Sequence, residues 1–100
     1  MIRHILFITF TENAFHKQIQ AVKRAFLQIP NQIDGVVSVE WGINDSLERK
    51  NAGFTHCVLM TFQDDAARRR YLPHPAHDEL KMIFSPLIKK IIVLDFTILP

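Results

Sequence analysis

The sequence predicts an α+β domain with one four-stranded antiparallel sheet and helices on a single face. Three observations carry this reading. Apolar residues alternate along four short stretches, the pattern of strands. They recur at three- and four-residue steps along two helical zones. The stretches follow one another as strand, helix, strand, strand, helix, strand.

The first strand is Ile2 to Phe10, "IRHILFITF", alternating and rich in Ile and Phe. From Asn13 the period changes: Phe15, Ile19, Val22, Phe26 and Ile29 form one helical stripe, with Pro30 as its stop signal. "GVVSVEWG", from Gly35, is the second strand, and the polar run "INDSLERKNAG" loops to a third, "GFTHCVLMTF", from Gly53 to Phe62. A short helix is expected near Asp64 to Tyr71. Another follows Pro75, with Leu80, Ile83, Phe84 and Leu87 on one side, and "IIVLDFTIL" closes the chain as the fourth strand.

This order is the ferredoxin-like split βαββαβ arrangement. Right-handed crossovers place the first and third strands at the centre, with the fourth beside the first. Side chains alternate along a strand, so faces can be counted. One side carries His4, Leu6, Ile8 and Phe10, then His56, Val58, Met60 and Phe62, and the other carries Ile5, Phe7, Cys57 and Leu59. On the last strand Ile91, Val93 and Asp95 oppose Ile92, Leu94 and Phe96. Both faces are greasy, yet the helices cover only one. A second copy packed sheet to sheet, making a homodimer, resolves this; a monomer with an apolar back is the alternative.

One hundred residues fit a single domain, residues 1–100. A formal net charge of +2 is too small to advertise nucleic acid, and the run Arg68–Arg70 reads as a solvated helix face. The single cysteine, Cys57, rules out an internal disulfide and reads as a small sheet residue. The opening run resembles a signal peptide but holds His4 and Thr9 and lacks a cleavage site; no stretch approaches the roughly 18 apolar residues of a membrane span. A soluble, cytoplasmic protein without a membrane partner is expected.

"GFTH" (53–56), "YLPHPAH" (71–77) and "VLDF" (93–96), with "RHILF", "IPNQIDGV" and "WGINDSLE", resemble the stress-responsive alpha/beta-barrel domains, the Dabb family. The resemblance spans nearly the whole chain and implies the ferredoxin-like fold and a dimeric alpha/beta barrel. It extends to plant polyketide-cyclase members, in which a tyrosine and a histidine of the matching turn serve an aldol-type cyclisation. Tyr71 and His77 occupy those places, His4 and His56 match pocket-lining histidines, and Asp95 matches the aspartate of the last strand. A pocket tyrosine of the cyclases' first helix has no counterpart, since Tyr71 is the only tyrosine; Val22 lies near that place.

Chemically, His77 could move a proton beside a carbonyl. Asp95, bonded to its other ring nitrogen, would fix the tautomer, and the Tyr71 phenol could donate to an enolate oxygen. His4 and His56 would bind ligand, with Leu6, Val58, Met60, Phe84 and Leu87 as an apolar surround. Such a pocket suits a hydrophobic carbonyl compound. The same residues also read structurally. His4 and His56 can belong to a satisfied polar network, Tyr71 can anchor a helix, and His74, flanked by prolines, can brace the turn. Zinc on His74 and His77 with His4 or His56 is a weaker option, since no cysteine or carboxylate cluster completes it. No cofactor is implied: phosphate loops, a nucleophile elbow and dinucleotide fingerprints are absent. Two function classes remain. One is a dimeric stress-response domain binding a small hydrophobic ligand; the other is a cofactor-independent enzyme, such as a polyketide-type cyclase or a lyase, working by His/Tyr acid–base chemistry.

Overall fold

The structure, a computed structural model, describes residues 1–99. Its elements are β1 (Ile2–Phe10), α1 (His16–Gln32), β2 (Val36–Ile43), β3 (His56–Phe62), α2 (Asp65–Tyr71), α3 (Pro75–Phe84), a 3₁₀ turn (Ser85–Leu87) and β4 (Ile88–Thr97). The sheet runs β2-β3-β1-β4, antiparallel throughout. This is the ferredoxin-like order expected from the sequence, with β1 and β3 central. No helix among the described residues is long and apolar enough to cross a membrane.

Alternation along β1 buries Ile2, His4, Leu6 and Ile8 and leaves their neighbours partly or wholly open. Val58, Met60 and Phe62 of β3 join them under Val22, Phe26 and Ile29 of α1 and Leu80 and Phe84 of α3. Each large side chain sealed there contributes roughly 1.5–3 kcal/mol. The histidines of β1 and β3 both turn toward the helices.

Several details differ from the sequence reading. Pro30 does not end α1; it lies inside it. Ile29 and Ile33 are both sealed on the core, and the Ile33 N–H still donates to the Ile29 carbonyl at 3.0 Å, so burial on either side outweighs the lost bond. Phe15 is not part of the buried stripe. It is the exposed N-cap, its N–H held by Gln18 Oε1 at 2.8 Å. Ile83 points to solvent while Leu80 and Phe84 point inward. The third strand starts at His56 rather than Gly53, because Gly53 turns with a φ of +82°.

Gly35 performs a similar service between α1 and β2. Its φ is +89°, and its α-carbon abuts Ala67 of α2 so closely that a methyl group there would collide with the Ala67 side chain. The basic run on α2 is tied down within the chain. Arg68 and Arg69 both bond Asp65, at 2.6 and 2.8 Å, and Arg70 reaches the Asp34 carbonyl at 3.5 Å.

The face away from the helices is apolar and open. Ile5 and Leu59 are half-buried there, while Phe7, Ile92, Leu94 and Phe96 are exposed. β4 is the edge strand, and its helix-side residues Ile91 and Val93 are exposed as well. The helices therefore stop short of covering β4, and this gap opens the cleft described next.

Candidate functional site

The turn between α2 and α3 is built to hold one histidine in place. His74 caps α3, its Nδ1 accepting from the Ala76 N–H at 3.0 Å, and Pro75 sits at the first helical position. His74 thus braces the turn. This carries His77 into the first turn of α3, where its Nδ1 lies 3.0 Å from the Leu72 carbonyl oxygen. A carbonyl only accepts, so Nδ1 carries the proton and the neutral ring keeps its lone pair on Nε2. The Tyr71 ring meets the His77 ring edge-on at 4.5 Å between centroids and packs against Phe62 at 5.3 Å and His4 at 5.8 Å.

His4 stands opposite Asp95 in the β1–β4 ladder, and the two bond through Nδ1 and Oδ1 at 2.7 Å. The other carboxylate oxygen lies 3.5 Å from Nη1 of Arg68. Asp95 therefore orients His4 and not His77, as the sequence reading had it; the Leu72 carbonyl performs that service for His77.

These groups open on a cleft of about 600 Å³ between β1, β4 and the α2–α3 turn. Leu6, Phe84, Ile91 and Val93 form its apolar walls, and His4, Tyr71, His77, Lys81 and Asp95 supply its polar groups. Tyr71 is almost wholly buried, and burial pushes its phenol well above the ordinary tyrosine range, so the hydroxyl stays protonated. No solvent-sealed side-chain polar atom lacks a partner among the described residues. The Tyr71 hydroxyl bonds no described residue and is therefore not sealed from solvent, which leaves it a free donor on a residue that lines the cleft. Burial is the first cause that lowers the proton affinity of His77, opposed by the Leu72 carbonyl and reinforced by the nearby Lys81 charge. The cleft thus joins a neutral imidazole, a phenol donor and a carboxylate-held histidine.

Of the residues singled out in the sequence, His4, Leu6, Tyr71, His77, Phe84 and Asp95 meet at this cleft. His56 does not. It pairs with Ile8 at the far end of the sheet, between Phe10 at 4.9 Å and Trp41 at 5.4 Å, with Nδ1 at 2.8 Å from the Thr55 hydroxyl. There it borders a second cleft of about 560 Å³, made by Phe7, Cys57, Ile92 and the loop 42–54. That cleft lies against the uncovered sheet face. Asp45, Lys50 and Cys57 also line it, but among the described residues none of them bonds His56, whose Nδ1 meets only the Thr55 hydroxyl. We therefore place the site at the first cleft, where His77, Tyr71 and the bonded pair His4–Asp95 converge. Val58 and Met60 are sealed in the core, and Leu87 is half-buried against it; none lines the cleft. Among the described residues no three His, Cys, Asp or Glu side chains come close enough to share a metal ion. Sequence reasoning missed Ile91, Val93 and Lys81. The first two share Asp95's parity, and Lys81 follows His77 by four residues, one helical turn.

Comparison with known proteins agrees with this architecture. The model of the stress responsive A/B barrel domain, Dabb, matches residues 2–98. The chain is 24% identical over 96 residues to olivetolic acid cyclase of Cannabis sativa, covering 96% of this chain and 95% of that protein. A solved protein of Arabidopsis thaliana superposes with a TM-score of 0.93 at 27% identity, over 100% of this chain and 97% of the other. The hydroxynitrile lyase of Passiflora edulis superposes with a TM-score of 0.88 at 27% identity, over 97% and 92% of the two chains. A family model matched from one end to the other, on a fold with the order it requires, leaves one conclusion: the chain belongs to the stress-responsive A/B barrel domain (Dabb) family.

Proposed function

We propose that this chain acts as a homodimer, joined through the uncovered sheet face, that binds a small hydrophobic, carbonyl-containing molecule in the cleft between sheet and helices. The observation that carries the reading is the cleft itself: apolar walls from Leu6, Phe84, Ile91 and Val93 beneath a few convergent polar groups. The dimer is supported by the open apolar row Phe7, Ile92, Leu94 and Phe96, which a second copy of the same face would cover.

A second reading, cofactor-independent catalysis, is favoured by one specific feature. His77 and Tyr71 line the same cleft, and neither the His77 Nε2 nor the Tyr71 hydroxyl has a bonding partner among the described residues. His77 would take a proton from the carbon beside the carbonyl while Tyr71 donates a hydrogen bond to the enolate oxygen that forms. The electron pair would then attack a second carbonyl or return to the proton. The names of two relatives, a cyclase and a lyase, are compatible with such chemistry.

Both readings are tested on one preparation. Protein purified without denaturant should release a bound apolar molecule detectable by mass spectrometry, and a Leu6→Trp variant should release none. With a poly-β-keto thioester as substrate, Tyr71→Phe and His77→Ala should each lower turnover by roughly 10²–10⁴-fold with unchanged circular dichroism. Equal rates in both variants and the wild type would exclude the catalytic reading and leave the binding reading standing.

A further inference from the structure

The cleft is bordered by a cation, Lys81, that no described residue neutralises. Lys81 borders it from α3, one turn after His77. Asp78 and Glu79 lie on the same helix, yet no ion pair to Lys81 forms among the described residues; the pairs that exist join His4 and Arg68 to Asp95, and Arg68 and Arg69 to Asp65. The one carboxylate lining the cleft, Asp95, is already engaged by His4 at 2.7 Å and Arg68 at 3.5 Å. The neighbouring guanidinium groups are no substitute for Lys81, because Asp65 holds both.

The balance of the cleft is therefore an apolar floor with an unpaired ammonium at its lip. A lysine stem can lie along apolar wall while the charge stays at the water boundary. A neutral guest would cover the floor and gain nothing from that charge. A guest with an anionic end would gain a charge-assisted hydrogen bond as well. The chemistry of His77 fits the same guest: the Lys81 charge lowers its proton affinity, and an anion seated on Lys81 would relieve that effect.

We infer that the guest of this cleft is a small amphiphile with an apolar body and a single carboxylate, and that Lys81 selects it by charge. This deepens the proposed function and rests on the cleft being the binding site. Tyr71 and His77 would then meet the part of the guest next to its charged end, since they flank Lys81 along α3 and its leading turn, while the apolar body lies against Leu6, Phe84, Ile91 and Val93.

The test compares octanoate with octanamide, which share an apolar body and differ in charge, by heteronuclear NMR titration at low ionic strength. Wild type should bind octanoate about tenfold more tightly. Lys81→Met should remove that preference while leaving octanamide within about twofold of wild type, and Lys81→Arg should keep it. Raising the salt should shrink the preference in the wild type and in Lys81→Arg, and change nothing in Lys81→Met. Lys81 is exposed, so neither variant endangers the fold. Equal affinities of wild type for the two probes, or a Lys81→Met variant that still prefers octanoate, would overturn the charge selection alone. Failure of both probes to perturb cleft residues would overturn the cleft as binding site, and this inference with it.

Discussion

Val93 and Leu94 are neighbours on β4 that face opposite ways, and a glutamate at each should have opposite consequences. Leu94 pairs with Ile5 on the uncovered face, while Val93 pairs with Leu6 and lines the cleft. The two are 54% and 53% exposed, so the chain alone already leaves half of each in water. Full burial of such a side chain contributes roughly 1.5–3 kcal/mol. Either substitution therefore costs the isolated fold about 1 kcal/mol, small beside a typical stability of roughly 5–15 kcal/mol. In a twofold interface the open half of Leu94 is covered once in each copy, so Leu94→Glu removes about 2 kcal/mol from association before any carboxylate is desolvated. That raises the dimer dissociation constant by at least roughly 30-fold. Light scattering across a dilution series should show the dissociation midpoint of Leu94→Glu displaced by that factor, with an unchanged circular dichroism spectrum. Val93→Glu should keep the wild-type midpoint and lose ligand, because it sets a second carboxylate on the cleft wall, two residues from Asp95 on the same face. The face assignment fails if Leu94→Glu dissociates no more readily than wild type, or if Val93→Glu dissociates as well.

Acid should loosen the fold in a definite window. Burial lowers the proton affinity of both His56 and His77 below the ordinary value of 6.5, so the folded chain binds fewer protons than the unfolded one. Stability from these rings is complete above the unfolded value and is lost as pH falls below 6.5 through the folded values. Melting followed from about pH 7.5 to about pH 5 should show a falling Tm, and a Tm that holds or rises over that span contradicts the burial of these rings. At the α1–β2 turn, Gly35→Ala combines a left-handed backbone with a collision against Ala67. It should cost about 1–3 kcal/mol and lower Tm by at least roughly 4 °C, and an unchanged melt would contradict the packing of α2 on that turn.

Much of this molecule is legible in its sequence, and the reason is periodicity. Alternation in "RHILFITF" assigns His4, Leu6 and Ile8 to one face, and the structure buries all three. The stripe Val22, Phe26, Ile29 identifies the inner side of α1 without any knowledge of what it meets. Pro75 and His74 signal a helix start because a proline tolerates only the first turn and a short polar side chain can reach the next free N–H. Where the reading failed, a local rule met tertiary packing. Pro30 is a breaker in isolation, but Ile29 and Ile33 are each worth more in the core than the one hydrogen bond a proline removes.

The candidate site was harder to read, because parity names the face of a residue and not its distance along the strand. His4 and His56 share the helix side, yet His4 lies opposite Met60, and His56 lies opposite Ile8. Four residues of strand separate the two levels, roughly 13 Å at about 3.3 Å per residue, which puts the histidines at opposite ends of the sheet. That register cannot be read from either strand, since the segments between β1 and β3 include a helix, a strand and a loop whose turns do not constrain it. The same gap explains why the sequence pairs Asp95 with His77 rather than with His4. On β4 its parity shows only that it faces the helices; the β1–β4 ladder then sets it directly across from His4 and leaves His77 to a backbone carbonyl. Depth was equally hidden. Val58 and Met60 have the right face and the right chemistry for a pocket wall, but central strands lie under the helices, whereas Ile91 and Val93 on the edge strand extend past them. A cleft in this architecture forms where helical cover ends, and the residues that line it are those of the strand the helices fail to reach.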